Sequence, residues 1–131
     1  MASIFSKIVA GDIPCYKIAE NDRYLAFLDI SPLKKGHTLV IPKTEVDYLF
    51  DLDSETYSGL MDFARNVAEA LKKSVPCKRI GLCVIGFEVP HAHIHLIPIN
   101  SESDMNFKNE KLVLSKEEFE ALAATIRTAL S

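Results

Sequence analysis

The sequence predicts an α+β fold built on a mainly antiparallel sheet of five strands. Five short runs rich in β-branched and aliphatic residues are each bounded by turn residues. One long segment, 53–74, carries an apolar stripe of helical period. Three of the runs precede that segment and two follow it, so helices are expected on one side or at the ends of the sheet. A chain of 131 residues suits a single domain over 1–131 with its own core.

Each element has a local reason. "SIFSKIVAG" reads as one short helical turn, stopped by Gly11 and Pro14. "CYKIAE" and "YLAFLDI" read as two strands joined at Asn21 and Asp22. Pro32 to Gly36 break the chain, and "HTLVIP" follows as a third strand. Asp53 or Ser54 caps the long helix, which ends near Ser74 ahead of Pro76. Its Leu60, Phe63, Ala64, Val67 and Leu71 fall at i, i+3, i+4, i+7 and i+11. "RIGLCVIG" and "HAHIHLIPI" read as strands four and five. The segment 101–109 is polar and reads as a loop. Ser115 and Glu118 form an S-x-x-E capping box that opens a last helix over about 115–130.

Composition excludes several classes. The formal net charge is −3, which argues against a general nucleic-acid binder. Cys15, Cys77 and Cys83 are odd in number and unpaired in spacing, so neither a disulfide framework nor a cysteine zinc site is expected. No apolar run approaches a membrane span, and the N-terminus lacks the pattern of a secretory leader. The expectation is a cytoplasmic protein with reduced thiols and no membrane partner.

The chemistry is concentrated in "PHAHIHLIPI". Three of the four histidines, His91, His93 and His95, alternate with Ala92, Ile94 and Leu96. On a strand this sets the imidazoles on one face, toward a cleft, and the apolar residues on the other, toward a core. A helix would scatter them. A plain polar face is disfavoured, because charging three adjacent imidazoles is costly. Two readings stay open on spacing alone. The imidazoles could hold zinc, with Glu88 or His37 as a further ligand. They could equally perform nucleophilic or acid–base chemistry on a phosphate.

"HAHIHLIP", residues 91–98, matches His-φ-His-φ-His-φ-φ (φ apolar), the motif of the histidine triad (HIT) superfamily. "IFSKIVAGDIP" and "YLAFLDISPLKKGHTLVIPK" resemble two further segments of that family, in the right order, so the resemblance covers the chain to about Asn100. The Hint-like bacterial members are the most similar. The resemblance implies a HIT-like fold in a homodimer whose two sheets join edge to edge. It implies cleavage of a purine nucleotide at its α-phosphate without a cofactor or a catalytic metal.

The residue roles follow from the same resemblance. His93 matches the nucleophile, which forms a nucleotidyl-histidine that water resolves. The main-chain carbonyl of His91 orients it. His95 matches the residue that holds phosphate oxygens near the leaving group, and His37 matches a supporting fourth histidine. Asp29 matches the acceptor of the ribose hydroxyls. Phe5, Ile8, Phe27, Leu28 and Ile30 match or border the walls of the base pocket. Gly86 matches a glycine whose backbone approaches phosphate, and Glu88 a polar position near it. The expected activity is that of a nucleotide phosphoramidase. Dinucleoside polyphosphate hydrolysis and a nucleotide-binding module with weak catalysis are the alternatives.

Three departures stand out. Ser3 and Ser6 occupy the positions of a Cys-x-x-Cys that holds structural zinc in many bacterial members, so that zinc is not expected. Phe87 replaces a glutamine that would donate to phosphate. A C-terminal tryptophan segment found in some members is missing.

Overall fold

The computed structural model describes residues 2–130. Five strands, β1 (Lys17–Glu20), β2 (Tyr24–Leu28), β3 (Thr38–Pro42), β4 (Arg79–Cys83) and β5 (Ile94–Ile99), form one sheet in the order β1-β2-β3-β5-β4. Every neighbouring pair is antiparallel, as the grouping of strands implied. Three helices, α1 (Ile4–Val9), α2 (Ser54–Ser74) and α3 (Lys116–Ala129), complete it. Among the described residues no helix is long and apolar enough to cross a membrane.

The period of 2 divides the strands between two layers. Tyr24, Ala26, Leu28, Val40, Ile94 and Leu96 face α2 and α3 in the larger core, with Leu60, Val67, Leu71, Leu122 and Ile126 across from them. Leu25, Phe27, Leu39 and Ile41 point the other way, where Phe5 of α1 packs on them. One face of the sheet is therefore closed by two long helices. The other is only partly covered by a six-residue helix, and the uncovered part is the cleft.

The caps are as expected from sequence. Asp53 accepts the Thr56 N–H at 2.8 Å to open α2, and Ser115 and Glu118 form the reciprocal box that opens α3. The loop 101–109 contains a 3-10 turn, Glu102–Met105, with its own capping box at Ser101.

Several strand ends differ from the sequence reading. β2 stops at Leu28, because Asp29 turns the chain by accepting the Ser31 N–H at 2.8 Å. β4 stops at Cys83, and the chain leaves the sheet before Gly86, whose φ is +85°. β5 begins at Ile94 rather than His91, since its ladder with β3 ends at the Val40–Ile94 pair. His91 to His93 nevertheless keep the strand's alternation. Ala92 joins the helix-side core while the Ala92 N–H bonds to the Val46 carbonyl at 2.7 Å.

Candidate active site

Asp29 and His37 come from the two ends of one turn between β2 and β3, and the Asp29 N–H donates to the His37 carbonyl at 2.9 Å. Gly36 permits this turn. Its φ is +95°, and a Cβ there would meet Leu71 and Val75 at 3.0 Å. β3 and β5 are neighbours, so His37 at the entry of β3 lies beside His95 of β5.

The hydrogen bonds settle which nitrogen of each ring carries the proton. His37 is buried, and its Nδ1 can only accept, because it receives the Leu33 N–H at 3.0 Å. Its Nε2–H therefore donates to His95 Nδ1 at 2.9 Å. That leaves the remaining His95 nitrogen, Nε2–H, as a donor on a residue that lines the cleft. His93 Nδ1–H donates to the His91 carbonyl at 2.7 Å. In the neutral His93 ring the lone pair is then on Nε2, and the ring lines the cleft.

Burial keeps His37 and His95 neutral. It is the main cause that lowers His37 to about 3 and His95 to about 4, with a neighbouring imidazole adding to each. Asp29 Oδ2 stands 3.6 Å from His37 Nε2, too long for a hydrogen bond, and a neutral His37 makes no ion pair with it. His95 thus offers a donor without a charge. Asp29 is itself raised by burial, opposed by the Ser31 N–H on its carboxylate. One edge of the carboxylate remains for a ligand's hydroxyls.

These shifts carry a stability consequence. In the unfolded chain both imidazoles take up protons below about pH 6.5, whereas in the fold they stay neutral down to about 3 and about 4. The unfolded state then binds more protons as pH falls, so stability is lost across that window. Each histidine adds a slope of about 1.4 kcal/mol per pH unit between about pH 6 and pH 4. Urea unfolding measured from neutral pH down to about pH 5 is expected to show the midpoint dropping steadily. A flat profile would contradict neutral, buried His37 and His95.

The cleft has a volume of about 520 Å³. It is lined by Phe5, Ile8, Phe27, Leu28, Asp29, Ile30, His37, Gly86, Glu88, His93 and His95, so the sequence-derived residues are brought together with one exception. That exception is His91. The sequence reading turned its ring toward the cleft, but the ring is fully buried and faces Ser3 and Pro42. Only its carbonyl serves the site. Leu28 takes part at the edge, since its side chain belongs to the helix-side core. Ile30, 72% exposed, and Phe87, 94% exposed, stand at the rim. Glu88 lines the cleft as an exposed carboxylate, without a hydrogen bond to any histidine among the described residues.

Aromatic edges hold two of the cleft imidazoles. Phe5 meets His93 at 5.0 Å between centroids, and Phe107 meets His95 at 4.8 Å, both edge-on. Phe107 and Lys111 were not legible as site residues, because they sit in the polar stretch after β5. Lys111 Nζ donates to the Phe107 and Asn109 carbonyls and fastens this stretch beside the histidines.

Asp29, His37 and His95 place ligand atoms within 4.8 Å of one another, the one such group among the described residues. The His37 and His95 nitrogens there already satisfy each other.

Comparison with known proteins agrees with this geometry. The HIT domain family matches residues 10–102. An adenosine 5′-monophosphoramidase of Schizosaccharomyces pombe is 37% identical over 133 residues, covering 99% of each chain. The crystal structure of a HIT-like protein from Bartonella henselae, described as involved in cell-cycle regulation, superposes with a TM-score of 0.85. It is 33% identical and covers 98% of this chain and 96% of that one. A zinc-bound histidine triad family protein from Mycobacterium smegmatis gives a TM-score of 0.81 at 30% identity, covering 98% and 93%. The structural zinc that the resemblance attaches to Cys-x-x-Cys does not suit the residues here. The Ser3 hydroxyl is engaged with His91 and the Ser6 hydroxyl with Glu45, and neither supplies a thiolate. With its family motif matched across most of its length and a relative of 37% identity along nearly all of it, the chain belongs to the HIT domain family.

Proposed function

We propose that this chain is a nucleotide hydrolase that cleaves a purine nucleoside phosphoramidate at its α-phosphate through a covalent nucleotidyl-His93. One observation carries the reading: His93 Nδ1–H donates to the His91 carbonyl at 2.7 Å, so in the neutral ring the lone pair is on Nε2, at the cleft wall. That lone pair bonds to phosphorus as the P–N bond breaks, and the leaving nitrogen takes a proton from solvent and departs as the amine. Water then attacks phosphorus, the bond to His93 Nε2 breaks and returns its electron pair to the ring, one water proton goes to solvent, and the nucleoside monophosphate departs. Two in-line displacements replace one difficult step. The His95 Nε2–H holds a phosphoryl oxygen through the transition state, and Asp29 accepts the ribose 2′ and 3′ hydroxyls. Phe5, Ile8, Phe27 and Ile30 supply flat apolar walls for the base.

The charge of the cleft favours a phosphoramidate over a dinucleoside polyphosphate. Apart from the histidines its charged lining is Asp29, Glu88 and Lys111, two carboxylates against one ammonium. A polyphosphate leaving group would bring several negative charges to Glu88, whereas a leaving amine brings none. The relationship to an adenosine 5′-monophosphoramidase supports the same choice. The test is AMP release from adenosine 5′-phosphoramidate and from a diadenosine polyphosphate, side by side. The expected result is a kcat/KM at least about tenfold higher for the phosphoramidate, or about 1.4 kcal/mol of discrimination. Preference for the polyphosphate would reject the substrate class, and nucleotide binding without turnover would reject the enzyme. The implied homodimer is supported by the outer edge of β4, where the sheet ends and Leu82 is exposed.

A further inference from the structure

His91 aims the nucleophile, yet no strand ladder aims His91. It lies three residues before β5, outside any strand ladder. Its ring is instead gripped at both nitrogens. Nε2–H donates to the Pro42 carbonyl at 2.7 Å, and Nδ1 accepts the Ser3 hydroxyl at 2.8 Å. The Ser3 hydroxyl in turn accepts the Ser6 N–H at 3.0 Å. Behind both serines, Glu45 Oε1 receives the Ser3 N–H and the Ser6 hydroxyl, each at 2.6 Å. The main chain is held by the same stretch. The Ala92 N–H donates to the Val46 carbonyl, one residue beyond Glu45, while the His91 N–H closes a tight turn onto the Val89 carbonyl at 2.8 Å.

We infer that Ser3, Ser6 and Glu45 are positioning residues for His93, acting through the His91 ring. None of the three lines the cleft. Removing the Ser3 hydroxyl leaves His91 Nδ1 a buried acceptor without its partner, and the Ser6 hydroxyl at 3.4 Å is too far to replace it unmoved. The ring must then shift, and the His91 carbonyl shifts with it. His93 Nδ1–H loses its acceptor, so the ring is free to carry its proton on Nε2, the form that cannot attack phosphorus. Glu45 acts one bond further out. It fixes Ser3 and Ser6 and so also seats α1, whose Phe5 packs edge-on against His93.

This inference rests on His93 being the nucleophile, so its test has an arm that does not use turnover. The ¹⁵N signals of the imidazoles report which nitrogen holds the proton. In the wild type His93 is expected to be the Nδ1–H tautomer. In Ser3→Ala, and in Glu45→Ala at an exposed position that spares the core, it is expected to become a mixture of tautomers. Ser3→Thr, which keeps the hydroxyl, restores the single form. In the kinetic arm kcat falls on the order of tenfold in Ser3→Ala with KM nearly unchanged, and Ser3→Thr recovers it. An unaltered His93 tautomer in both alanine variants would overturn the inference. So would an equal loss of kcat in Ser3→Thr, or a rise in KM alone, which would mean that only the pocket wall had moved. Should the wild type release no AMP at all, the proposed activity fails while the tautomer arm still decides the relay.

Discussion

His93→Ala is expected to lower kcat for phosphoramidate hydrolysis by on the order of 10⁴-fold or more, while KM changes far less. The loss corresponds to about 5.5 kcal/mol of barrier. Among the described residues, the alanine removes the one cleft-lining imidazole whose neutral ring has a free nitrogen without a proton. His95 cannot substitute, because its Nδ1 is occupied by His37 and its Nε2 carries hydrogen. Water would have to attack phosphorus directly, in one step, with no nucleophile held in line. Asp29 and the apolar walls are untouched, so nucleotide binding is expected to persist. Stopped assays of AMP release on both proteins measure this. Wild-type kcat in the variant would remove His93 from the chemistry.

The second large effect is on binding. Asp29→Asn is expected to raise KM by roughly 10²-fold and to leave kcat within a few-fold. Hydrogen bonds to a charged group contribute about 1.5–3 kcal/mol each, and in the proposed complex two ribose hydroxyls share this carboxylate. Asparagine keeps an oxygen for the Ser31 N–H, so the turn survives, but it replaces the second acceptor by a donor. A substrate lacking the 2′ and 3′ hydroxyls supplies the control. The wild type should bind it as poorly as the variant binds the normal substrate, and the variant should show little further loss. Additive losses would place the ribose away from Asp29.

The legibility of the site in the sequence follows the range of its contacts. The alternation of His91, His93 and His95 with Ala92, Ile94 and Leu96 could be read directly, because strand period is a local property. So could the caps at Asp53 and Ser115. The start of β5 could not, since it depends on where the β3 ladder ends. The ring of His91 was expected in the cleft because spacing shows a face and not a rotamer. Its true partners, Ser3 and Pro42, lie 88 and 49 residues away. In the sequence the serines stand out only as replacements for cysteines, and nothing local marks Glu45. Its 2.6 Å bond to the Ser3 N–H spans 42 residues, and no periodicity encodes such a contact. Phe107 was hidden for another reason. It sits in a polar stretch, where composition indicates a loop, and only the fold brings that loop onto His37 and His95.

The proposed mechanism turns on the His93 tautomer, and its first product would be a phosphorus–nitrogen bond at Nε2. Rapid quenching of the wild type with adenosine phosphoramidate, followed by peptide mass spectrometry, looks for that bond. The account predicts one adenylyl group on the peptide containing His93, assigned to His93 by fragmentation, formed before steady-state AMP release and absent from His93→Ala. An adduct on His95, or rapid turnover with no adduct on any histidine, would contradict it.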